Sequence, residues 1–251
     1  MIRLIKNIGP EVLLQLFSPA LFKILPVRGT TQVILEIARD YRNPNKFEET
    51  IEEIVKALNA HPHSMANPWQ FCERKKIHPV EIDSLTHEEK KVLGEKILEL
   101  YFTQIFRSPT VLLDLSLNSM GTHLQWSPLP IMVEWDVEFI RAIRNLYEGL
   151  FNQNPEKIDS ALKDLKMFHA KEVMLEHFGQ GDLSAVLFKM ESLSKSLSEM
   201  IHAFKKQSSQ VSTDFITLGI FLLGLYQTLD KINVPLNVRR AFLRSVSQSG
   251  H

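Results

Sequence analysis

Residues 109–136 read PTVLLDLSLNSMGTHLQWSPLPIMVEWD, the one stretch of this 251-residue chain without a helical pattern. Leu113, Leu115 and Leu117 alternate with Asp114, Ser116 and Asn118, the period-two signature of a half-buried strand. The turn residues Asn118, Ser119, Met120, Gly121 and Thr122 follow, and a short polar and apolar run then ends at Trp126. Together they predict one small hairpin at about 111–137. Irregular backbone set among helices often carries reactive groups, and the candidates here are Asp114, Asn118, Glu134 and Asp136. Asp114, Glu134 and Asp136 bear the oxygen ligands that Mg²⁺ takes. The competing reading is plainer: Asp136 caps a helix, while Asp114 and Glu134 lie on the solvated face of a strand.

Working outward toward the C-terminus, helical spacing takes over. Asp136 precedes the apolar face Phe139, Ile140, Ile143, Leu146, Tyr147, Leu150 and Phe151. Asn154 caps the next helix, with Pro155 at its first position, where a missing N–H costs nothing; the short link makes the two an antiparallel pair. Gly179, Gln180 and Gly181 break the pattern, and Asp182 is expected to cap a long amphipathic helix through about Phe204. A loop at 205–213 leads to a buried helix from about Asp214, with Gly219 and Gly224 inside it. Glycine costs a helix about 1 kcal/mol against alanine, so close packing against another helix is the expected compensation. A short basic helix at 237–246 closes the pattern.

Toward the N-terminus, Thr86 and Glu89 form a capping box ahead of Leu93, Ile97, Leu100, Tyr101 and Ile105. Residues 61–83 are a loop-rich connector with three prolines. Its His61, His63, Cys72 and His78 are metal-ligand types, but their spacing matches no zinc pattern. Before it, Phe47, Ile51, Ile54, Val55 and Leu58 make an apolar stripe opposite Glu48, Glu49, Glu52 and Glu53, which read as a solvated face. The run at 10–25 holds more apolar residues than one helix face can hide, and either packs on the core or meets a partner or membrane surface. The expected organisation is a helical arm at 1–60, the connector at 61–83 and a main helical domain at 84–251.

Composition removes several classes of function. Twenty-nine basic residues balance 29 acidic ones, so no global field favours nucleic acid. The single cysteine cannot form an internal disulfide, which fits a reducing, cytoplasmic setting. Arg3 and Lys6 precede an apolar run, but Glu11 and Gln15 interrupt it, so a signal peptide is not expected. The longest apolar run, residues 215–225, falls well short of the roughly 20 residues that a membrane span needs.

Taken in order, LGEKILELYFTQIF at 93–106, LDLSLN at 113–118 and VEWD at 133–136 are followed by the helix pair at 144–165 and FLLGLYQTLDKINVPLNVR at 221–239. This succession resembles the C-terminal lobe of the UbiB/AarF family of atypical kinases. Gln104, Ile105 and Phe106 match the family's helix ending, LDLSLN takes the place of its catalytic loop, and VEWD that of its metal-binding segment. The resemblance implies a kinase-like C-lobe, with Asp114 as catalytic aspartate, Asn118 as metal-binding asparagine and Asp136 as second metal carboxylate. The chain departs from the family in lacking the loop's histidines and glycine, and it has no nucleotide loop or lysine strand upstream. Phosphoryl transfer needs phosphates clamped by such groups. The expectation is therefore a non-catalytic, pseudokinase-like protein that needs no cofactor and binds a protein partner. A UbiB/AarF-type kinase or an enzyme of quinone or isoprenoid-lipid metabolism is the setting implied. The alternatives are a Mg-ATP-dependent phosphotransferase using Asp114, Asn118 and Asp136, and a protein held at a membrane surface through residues 10–25.

Overall fold

The computed structural model describes residues 44–60, 68–71, 80–115, 117–120, 123–172, 175, 185–206 and 212–246. The expectations for the arm at 1–43, for the four metal-ligand types of the connector and for the break at 179–182 lie outside these residues. What is described is mainly helical, as the periodicity predicts. In chain order it contains α1 (Pro44–Asn59), β1 (Gln70–Phe71), α2 (His87–Arg107), β2 (Thr110–Leu112), β3 (Leu117–Met120), β4 (His123–Trp126) and β5 (Met132–Glu134). Then come α3 (Val137–Phe151), α4 (Pro155–Asp164), α5 (Met190–Lys206), α6 (Thr213–Ile232) and α7 (Val238–Val246).

α2 is the axis of the molecule. The capping box at its start is complete: the Glu89 amide donates to the Thr86 hydroxyl, and the Thr86 amide donates to Glu89 at 2.8 Å. Its sequence stripe suggests one buried face, but from Leu93 to Ile105 nearly every residue is buried, because α1, α6 and α7 all pack on it. Aromatic rings knit the contact. Tyr101 stacks on Phe221 of α6 at 4.7 Å, Phe102 meets Tyr147 and Phe151 of α3, and Phe242 of α7 lies against Phe102, Phe106 and Phe151. Such edge and offset pairs contribute about 0.5–1.5 kcal/mol each beyond their buried area.

α6 is 20 residues long and apolar enough, by length and composition, to cross a membrane, with 72% of that window buried inside this fold. The helix outgrows its 11-residue apolar run because Ser212 caps it at one end and Asn233, at φ 52°, ends it at the other. Gly224 gives α6 a close approach, though not to a helix as the sequence suggests. A Cβ there would stand 3.3 Å from the carbonyl oxygen of Leu113, in the island.

α5 is shorter than its sequence pattern. It begins at Met190, and Val186, Leu187 and Phe188 lie outside it. Val186 exchanges two backbone hydrogen bonds of 2.9 Å with Leu236, and Phe188 packs on Tyr226. The Asp230 carboxylate accepts from the Met190 amide, while Lys189 donates to Asp230 and Asn233. The helix start is thus fixed by a cap 40 residues away along the chain, and the expected Asp182 cap lies among the residues not described.

Candidate functional site

The island holds more strand than one hairpin. β3 and β4 pair antiparallel as expected, with Asn118 opposite Gln125. β1 adds to the outer side of β4 in parallel, and β2 pairs antiparallel with β5 around the hairpin. These extra strands are two or three residues long and join distant parts of the chain, so no local pattern announces them. The Asn59 side chain seats β1 by bonding both the carbonyl and the amide of Trp69.

The alternating pattern at 113–117 does not form a half-buried strand. β2 ends at Leu112, and Leu113, Asp114 and Leu115 are all buried. The segment at 127–131 covers what would have been the wet face. The Leu129 amide donates to the Asp114 Oδ2 at 2.9 Å, the Leu113 amide to the Ile131 carbonyl at 3.0 Å, and the Trp126 indole to the Asp114 carbonyl at 3.3 Å. Asp114, expected on a solvated face, is a structural acceptor only 5% exposed.

The other candidates stand elsewhere. Asp136 is exposed and caps α3, accepting from the Glu138 and Phe139 amides. Glu134 is exposed at the end of β5, as the plainer reading has it, and pairs with Lys46 of α1. The backbone of Asn118 lies in β3. Among the described residues no group of three or more His, Cys, Asp or Glu is disposed to hold a metal ion; Asp114, Glu134 and Asp136 do not form one. Gln104 is fully buried: its Oε1 accepts from the Leu112 amide at 2.7 Å, and its Nε2 has no partner among the described residues. The amide therefore bolts the end of α2 to the start of the island.

A second cluster escaped the sequence reading. Glu95 and Glu99 are 7% and 8% exposed on α2, beneath α7. Glu95 pairs with Arg240, and Glu99 with Arg244 at 2.9 Å and Lys96 at 3.1 Å. Buried carboxylates persist only when paired. The signal was available: two glutamates four apart interrupt an apolar stripe, and two arginines four apart recur in the tail.

Beside these pairs, α1, α2 and α7 enclose a cleft whose walls include Leu58, Glu99, Thr103, Arg107, Arg244 and Ser245. The space in it that water-sized molecules can occupy is ≈ 20 Å³, and it opens to solvent. That is room for a water or two, not for a metabolite. Arg107 donates to the Ser245 carbonyl at 3.4 Å, and Arg144 donates to the Ile105 and Ser108 carbonyls at 2.7 and 3.3 Å. Arginines thus satisfy the carbonyls at the ends of α7 and α2. Burial, and then the nearby Arg107 charge, lower the Arg144 guanidinium from its ordinary value.

No family model matches this chain, and no curated protein matches it. The class the architecture defines is a mainly helical protein wrapped around α2, with small sheets bracing one end.

Proposed function

We propose that this chain is a non-catalytic helical interaction protein whose scaffold descends from a kinase-like C-lobe. Its partner is a protein, and the resemblance points to a UbiB/AarF-type kinase or an enzyme of quinone or isoprenoid-lipid metabolism. The observation that supports this is the use of the carboxylates. Phosphoryl transfer requires metal-bearing oxygens that face the transferred phosphate. Asp114 instead faces inward to the Leu129 amide, and Asp136 is turned to the first amides of α3. Both carboxylates, in this reading, serve the fold rather than a metal. In this reading the apolar run at 10–25 carries the partner contact, an assignment that rests on the sequence alone.

Thermal denaturation in rising Mg²⁺-ATP tests the proposal. A ligand at 100 times its dissociation constant adds about 2.7 kcal/mol to a fold it binds. No saturable rise in melting temperature is expected. A saturable rise that Asp114→Asn abolishes would establish the phosphotransferase instead.

A further inference from the structure

We propose that the cleft between α1, α2 and α7 binds one phosphate-class oxyanion, held by Arg107 with the Thr103 hydroxyl and Arg244 beside it. This inference stands apart from the function proposed above and rests on three observations. The Thr103 side chain lines the cleft at 4% exposure, and among the described residues its hydroxyl has no hydrogen-bond partner. Its oxygen is open to the cleft rather than sealed from solvent, so the O–H can donate to an oxygen entering there. Arg107 lines the same cleft, and no carboxylate lies within ion-pair distance of it among the described residues; its contact is the long one to the Ser245 carbonyl. A guanidinium has five N–H donors in a planar fork that matches a phosphate edge, and one weak bond leaves most of that fork unused.

The third observation is local charge. The charged residues that line the cleft are Arg107, Arg244 and Glu99, with Lys96, Arg144 and Arg240 and the carboxylates Glu53, Glu95 and Glu148 near them. Glu99 is on the wall, but Arg244 and Lys96 both hold it. Glu95 pairs with Arg240 and lies 3.8 Å from Arg244. Glu53 bonds the Ser108 hydroxyl at 3.3 Å. On the cleft walls two guanidiniums thus stand against one carboxylate. An anion at Arg107 would offset the repulsion between Arg107 and Arg144. The volume sets the size of the ligand. The ≈ 20 Å³ admits one or two oxygens, and because the cleft opens to solvent the rest of a phosphate or its ester stays outside.

The full-length chain is titrated with inorganic phosphate at constant ionic strength, following ³¹P line width and melting temperature, with chloride as the control. Saturable binding is expected, weakened at least ~tenfold in Arg107→Gln, the loss that follows from removing a charge-assisted hydrogen bond. Thr103→Val should weaken it as well and serves as the second variant if Arg107→Gln does not fold. Phenyl phosphate separates the sources: tighter binding than inorganic phosphate assigns the group to a larger ligand, and equal binding assigns it to the free ion. Absence of saturable binding beyond the chloride control, or binding unchanged in both variants, overturns the proposal.

Discussion

Position 224 shows how a single atom is constrained. Replacing Gly224 by alanine would favour the helix by about 1 kcal/mol on propensity alone. The added Cβ meets the Leu113 carbonyl at 3.3 Å, and Leu113 is tied by its own amide to Ile131. That backbone has little freedom to retreat, and overpacking costs about 1–3 kcal/mol. Gly224→Ala should therefore lower stability in urea, by up to about 2 kcal/mol; a variant as stable as the parent would show that the island yields. The sequence made Gly224 legible as a close approach but not its neighbour, because helical periodicity says nothing of what an irregular loop will cover. Asp114 is the same lesson reversed. Its residue type suggested a wet face, and only the 127–131 segment, folded across it, makes it an interior acceptor.

Among the elements, those that begin on a local cap were readable. Thr86, Asp136 and Asn154 cap α2, α3 and α4 from adjacent sequence. The start of α5 was not, since its cap comes from Asp230, and neither were β1, β2 and β5, each closed by a distant partner. The Asp136 cap permits a sharp test. Asp136→Ala should cost about 1 kcal/mol, within the usual 0.5–2 for losing such a cap, whereas Asp136→Asn should cost little because asparagine caps as well. Equal losses in urea denaturation would show that the carboxylate charge, rather than its hydrogen bonds, matters at this position.

Across the whole molecule, three of the four tyrosines report on one core. Tyr101 and Tyr147 share a hydrogen bond of 2.7 Å between α2 and α3, and Tyr226 lies in α6. Burial pushes the hydroxyl pKa of each well above the ordinary range. The folded chain thus holds these protons more tightly than the unfolded one. The resulting stability is fully present below about pH 10, the unfolded value, and is lost as pH rises toward the folded values. Phenolate absorbance and helical circular dichroism should therefore change together above pH ~10. Ionisation of all four tyrosines while the helices persist would rule out this core.

The pairing of α7 with α2 also has a consequence in time. Glu95 and Arg240, like Glu99 and Arg244, are 145 residues apart in the chain. At about 5–20 residues per second, a ribosome needs roughly 7–30 s to make that interval. Throughout it α2 has neither Arg240 nor Arg244 to neutralise its two inner glutamates, and no Phe242 to fill the space beside Phe102. The central helix of the protein is thus made early and sealed late, so a nascent chain stalled before residue 238 carries its least tolerable charges at its own centre.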